Sequence, residues 1–197
     1  MENTHRLGPE TKLSFCISEL LQLEAPGDYD KESWAMEPEE KLASVPKLRE
    51  EGNVLYRTKE YKRAADKYAE ALNRLEQLLL REKPGDEEWN QLDYMKIPLL
   101  LNYSQCKLLE KDYYAVIEHT TSVLQKEPNN VKALFRRAKA HVGAWNPVEA
   151  HEDFCRIMEL DPSLENTVRR ELQLLEKEEK KKNLEDKEML KGKIFNM

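Results

Sequence analysis

IPLLLNYSQCKLLEKDYYAVIEHTTSVLQKEP at 97–128 and VKALFRRAKAHVGAWNPVEAHEDFCRIMELDP at 131–162 are two copies of one pattern. Asn102 to Arg136 and Pro128 to Pro162 are each 34 positions apart. An earlier stretch, LREEGNVLYRTKEYKRAADKYAEAL at 48–72, sets Gly52, Tyr61, Ala64, Tyr68 and Ala71 at the offsets of the pattern's small and aromatic positions. A unit this short cannot bury its own apolar face, so successive units must stack and share one elongated core.

A period of 34 residues is that of the tetratricopeptide repeat, in which each unit is a pair of antiparallel helices. Gly52, Ala138 and Ala150 are small where one helix crosses close to another, and Tyr68 and Phe154 fill the wider gaps. Proline cannot continue a helix, so Pro128 and Pro162 mark where the chain turns into the next layer. The first unit begins at Val45, 52 positions before Ile97, so about 18 residues are inserted between the units. They fall within LLLREKPGDEEWNQLDY at 78–94, which lengthens the flanking helices and adds a turn at Lys83-Pro84-Gly85-Asp86. The expected fold is all-α: three helix pairs in a right-handed superhelix, with helices over 38–57, 61–81, 88–109, 113–126, 130–143 and 147–160, and a long C-terminal capping helix.

Three regions follow from this reading: a strand and linker over 1–37, the repeats over 38–163, and a capping helix over 164–197. In the first, KLSFCISELLQLE at 12–24 alternates as a strand does, and a single strand is not stable alone. In the last, Leu164, Val168, Leu172 and Leu175 form an apolar stripe that covers the exposed side of the third unit. EKEEKKKNLEDKEMLKGKIF at 176–195 then extends into solvent, with pairs such as Glu178 and Lys182 along it. Leu190, Ile194 and Phe195 restore some hydrophobicity near the end and are candidate contacts for a client protein.

Composition narrows the function classes. The 197 residues are 40% apolar and 36% charged, with six glycines, which suits a stacked helical core with a solvated surface. A net charge of -6 argues against nucleic acid as the main partner. Cys16, Cys106 and Cys155 are odd in number and far apart, without metal-ligand spacing, so neither a disulfide framework nor a zinc site is expected. His119, His141 and His151 lack acidic or Cys partners at ligand spacing, and no metal or cofactor is expected. No apolar run reaches membrane-spanning length, and the expected setting is the cytoplasm, with the nucleus a second compartment. Glu152-Asp153 and Glu178-Glu179 read as solvated helix faces, Cys106 and Cys155 as inert core thiols, and Trp34, Trp89 and Trp145 as anchors of the linker, the inserted turn and the third unit respectively.

The candidate site comes from placing the units in a common frame. The first helix of each pair lines the concave groove of such a stack. Arg49 and Asn53 are four apart on one such helix, Asn102 lies on the next, and Lys132 and Arg136 are four apart on the third. Residues four apart share a helix face, so three cations and two amides converge with no acid among them. Such a set suits a peptide that carries two adjacent carboxylates.

These residues carry a resemblance. The pattern Arg49-Glu-Glu-Gly52-Asn53, then Asn102, then Lys132-Ala-Leu-Phe-Arg136 resembles the dicarboxylate clamp of tetratricopeptide co-chaperones. In that family the clamp holds the extreme C-terminus of cytosolic heat-shock chaperones, a tail ending in Glu-Glu-Val-Asp. Arg49 stands where a Lys is usual, which keeps the charge and changes the donor geometry. EAPGDYDKESWAM at 24–36, VPKLREEGNVLYR at 45–57, LLLNYSQCKLLEKDYYAVIEHT at 99–120 and KALFRRAKAHVGAWNPVEAHEDF at 132–154 resemble the aryl-hydrocarbon-receptor-interacting protein family.

That resemblance implies a co-chaperone for receptors and other clients, with an FKBP-like domain ahead of the repeats and a last helix that contacts clients. Such a domain needs on the order of a hundred residues, so residues 1–37 supply at most its final strand, and no prolyl isomerase catalysis is expected. The expectation is a monomeric, non-catalytic adaptor that grips an acidic chaperone tail and engages a client, with no nucleic-acid or membrane partner. The rival expectation is a scaffold that binds an internal segment of a partner, independent of chaperone tails.

Overall fold

A computed structural model describes residues 35–195 of the chain, with side chains up to residue 189. The predicted strand at 12–24 and Trp34 lie outside the described residues. Residues Pro38–Met197 form one compact unit.

Its helices are α1 (Pro38–Arg57), α2 (Tyr61–Leu79), α3 (Glu87–Leu109), α4 (Tyr113–Lys126), α5 (Val131–Gly143), α6 (Pro147–Leu160) and α7 (Glu165–Phe195), with a 3-10 turn at Pro162–Leu164 before the last. Each helix packs on the next, and α3 also touches α5, which brings the first helices of successive pairs side by side. The bounds agree with the sequence expectation to within two residues at nearly every end, because capping and turn residues sit where the repeat requires them. Asn130 accepts the Ala133 amide at 3.0 Å to start α5. Asp161 accepts the Ser163 amide at 3.0 Å beside Pro162.

The inserted segment lengthens α2 and α3 and forms the turn between them, where Gly85 takes a φ of +93° that L side chains rarely adopt. The tight turn inside each helix pair also has one left-handed residue, and none of these is glycine. Lys59, Lys111 and Trp145 have φ values of 66°, 63° and 61°. Each lets the following amide reach back to a carbonyl five residues earlier: Glu60 to Leu55, Asp112 to Lys107, Asn146 to His141.

A continuous core runs through the stack. Tyr68, Leu75, Leu99, Val123, Phe154 and Ile157 are sealed within it. Gly52 is required where α1 crosses α2, because a Cβ there would lie 2.6 Å from Cε1 of Tyr68. The predicted stripe on α7 does cap the third pair: Val168 and Leu175 are buried, and Leu164 and Leu172 pack against the core. Lys139 of α5 donates to both oxygens of Glu171, at 2.9 and 2.8 Å, and ties α7 to the stack.

Four expectations need correction. Asp153 is buried and faces Arg137 rather than solvent, because its position on α6 points back across the pair toward α5. Cys155 is half-exposed, 3.4 Å from Nδ1 of His151, so only Cys106 is a core thiol. Burial pushes the Cys106 thiol pKa up to about 11. Lys182 sits over the Trp145 ring, 4.1 Å from its centroid, in place of a contact with Glu178. Trp145 therefore braces α7 rather than the interior of the third pair.

Candidate functional site

A cavity of about 490 Å³ opens between α1, α2, α3 and α5. Asn53, Tyr56 and Arg57 of α1, Tyr68 of α2, Asn102 and Gln105 of α3, and Arg136 of α5 line it, with no acid among them. Asn53, Tyr56 and Arg57 share a face of α1 at spacings of three and four, and Asn102 and Gln105 share a face of α3.

The amides are held by a small network. Oδ1 of Asn53 accepts from the Tyr68 hydroxyl at 2.8 Å and from Nδ2 of Asn102 at 3.3 Å. With its oxygen turned inward onto these two donors, Asn53 carries its NH2 on the other side, as a donor for an anion. Tyr68 is the hinge of this arrangement, since its ring occupies the space left by Gly52 and its hydroxyl reaches Asn53. Burial, opposed in part by the Arg49 charge, pushes the Tyr68 pKa up to about 12, so the hydroxyl stays protonated and donating.

Arg136 enters from the third pair. Its Nε donates to Oε1 of Gln105 at 2.9 Å and its Nη1 to the Leu101 carbonyl at 2.8 Å. Burial lowers its pKa below the usual guanidinium value, a shift that leaves the side chain cationic near neutral pH. A charge half-withdrawn from water interacts more strongly with an incoming anion than one fully hydrated.

Of the five residues expected from the sequence, Asn53, Asn102 and Arg136 line one cavity. Arg49 and Lys132 are exposed and outside its lining, each one turn ahead of a residue within it. Arg136 also bonds α5 to α3, through Gln105 and the Leu101 carbonyl. Tyr56, Arg57, Tyr68 and Gln105 were missed. The spacing of three or four from Asn53 and Asn102 marks Tyr56, Arg57 and Gln105. The repeat position of Tyr68 marks it for packing, and its hydroxyl adds the bond to Asn53. Leu190, Ile194 and Phe195 fall at the end of α7, where no side chain is described. Among the described residues, no group of His, Cys, Asp and Glu is placed to hold a metal ion.

No protein-family model matches the chain. Aryl-hydrocarbon-interacting protein-like 1 of Pan paniscus is 41% identical over 186 residues, which is 94% of this chain and 48% of that protein. The chain is a homologue of aryl-hydrocarbon-interacting protein-like 1. It spans about half the length of the curated relatives it matches. Among solved structures, the C-terminal tetratricopeptide domain of a putative FK506-binding protein of Plasmodium falciparum superposes with a TM-score of 0.66 at 28% identity, covering 77% of this chain and 99% of that one. The myosin chaperone UNC-45 of C. elegans, solved in complex with a Hsp90 peptide, gives a TM-score of 0.56 at 26% identity over 69% of this chain and 14% of that one. Over its described residues this homologue of aryl-hydrocarbon-interacting protein-like 1 is thus an all-α tetratricopeptide stack with a C-terminal helix.

Proposed function

We propose that the chain is a non-catalytic co-chaperone adaptor of the cytoplasm that binds the acidic C-terminal tail of a heat-shock chaperone in the α1–α3–α5 groove and presents it to a client. The observation that carries this reading is the convergence of the Asn53 and Asn102 amides with Arg136 in one acid-free cavity. A tail that ends in Asp offers its terminal carboxylate and its side chain within a few ångströms of each other. The two amides and Arg136 would receive one carboxylate, while Arg49 and Lys132, free to swing from exposed positions, would close on the other. The Hsp90 peptide bound to UNC-45, a protein with a like fold, supports a chaperone tail as ligand. The α7 helix, including Leu190, Ile194 and Phe195, would take the client.

Calorimetric titration with a peptide ending in Glu-Glu-Val-Asp tests this reading. The free acid should bind and the C-terminal amide should not, and binding of the acid should weaken as salt rises. Lys132→Ala should lower affinity at least tenfold with an unchanged melting temperature. Arg136→Ala should lower both affinity and stability, because Leu101 and Gln105 lose their donor. Equal binding of acid and amide would favour the rival scaffold and its internal peptide segment.

A further inference from the structure

Glu50 stands on the lip of the groove, one turn before Asn53 on α1. It does not line the cavity, yet its carboxylate reaches two residues that do. Nδ2 of Asn53 donates to Oε2 of Glu50 at 3.0 Å, and Nη2 of Arg57 lies 3.4 Å from Oε1. The Asn53 NH2 is the donor that Tyr68 and Asn102 leave over, since both of them bond its oxygen. That donor and the neighbouring guanidinium are therefore both engaged by a carboxylate of the chain itself.

We propose that Glu50 is a resident competitor for the groove: its carboxylate engages the donors of Asn53 and Arg57 and must be displaced by the carboxylate of an incoming peptide. This inference rests on the acidic-tail reading above and deepens it. A peptide with a single carboxylate exchanges one such contact for another and gains little. A peptide with two adjacent carboxylates replaces Glu50 and still has a charge left for Arg136 or Lys132. Glu50 thereby sets a threshold that favours dicarboxylate ends over isolated acidic side chains. The threshold is low, because both Glu50 and Arg57 are well exposed and an exposed pair of this kind is weak.

The neighbouring Glu51 provides the control. It has the same charge but turns onto Lys67 of α2, 2.8 Å away, rather than onto Asn53 or Arg57. Glu50→Gln and Glu51→Gln raise the net charge equally, and only the first removes a carboxylate from Asn53 and Arg57, leaving a weaker amide acceptor in its place. At physiological salt, the free-acid peptide ending in Glu-Glu-Val-Asp should bind Glu50→Gln about two- to fivefold more tightly than the parent chain. Glu51→Gln should bind within about 1.5-fold of the parent, since a distant charge is screened. An affinity of Glu50→Gln no greater than that of Glu51→Gln would overturn the competitor role while leaving the groove assignment intact. Failure of the parent chain to bind the free-acid peptide would overturn both.

Discussion

Replacing Asp153 by alanine should destabilise the stack by about 2–3 kcal/mol, although sequence alone places this acid among solvated charges. The magnitude follows from the surroundings of the pair. Asp153 accepts from Nε and Nη2 of Arg137 at 2.8 and 2.7 Å, a two-point contact, and its side chain is only 7% exposed. An exposed ion pair contributes about 0–1 kcal/mol, whereas breaking a buried one costs about 3–5 kcal/mol, because the orphaned charge stays in a poor solvent. The Arg137 side chain is 24% exposed and keeps a bond to the Thr121 hydroxyl at 3.3 Å, so water and Thr121 relieve part of its loss. The cost therefore falls between the two limits. With a urea slope of about 2 kcal/mol per molar, the unfolding midpoint should drop by roughly 1–1.5 M. Urea melts of Asp153→Ala, Arg137→Met and the double variant form the assay. The double variant should be clearly more stable than the sum of the single effects implies, since it contains no orphaned charge. A midpoint shift below about 0.3 M, or strictly additive single effects, would refute the reasoning.

Two further outcomes follow from local features. Lys111 holds a φ of 63° in the α3–α4 turn, so Lys111→Gly should raise stability by roughly 0.5–1 kcal/mol and the melting temperature by a few degrees in calorimetry, the reverse of glycine within a helix. Burial lowers the His141 pKa, with Asp153 and Glu149 opposing and Arg137 assisting, so the fold prefers the neutral ring. Its stabilisation is therefore complete above about pH 6.5, the unfolded value, and is lost as the pH falls from there through the folded value. Urea midpoints measured from pH 7.5 to 5 should decline, and His141→Gln should flatten that decline.

The helices were legible because each is announced locally. Small residues, aromatic residues and prolines recur at a fixed period, and the period tells which faces meet. The turns inside each pair were less legible, because Lys59, Lys111 and Trp145 take a left-handed conformation that glycine or asparagine usually signals. The site was legible in part. Helical spacing grouped Asn53, Asn102 and Arg136, which line one cavity, since residues at equivalent positions of stacked units face the same way. It could not tell which long side chains reach the cavity and which remain in water, so Arg49 and Lys132 were grouped with them and Gln105 was not. Nor could it give Tyr68 a second role, because a packing residue and a hydrogen-bonding one look the same at that position.

Sequence alone thus determined the repeat, its register, the extent of the helices and the capping stripe on α7, all of which depend on contacts between residues close in the chain or one period apart. Only the tertiary structure decided the local chemistry: the inward lock of the Asn53 oxygen by Tyr68 and Asn102, the burial of Asp153 against Arg137, the stacking of Lys182 on Trp145 and the hold of Glu50 on the groove's donors. These depend on a few ångströms of approach between helices and on competition among donors and acceptors for the same partner. A periodic pattern in sequence carries neither quantity.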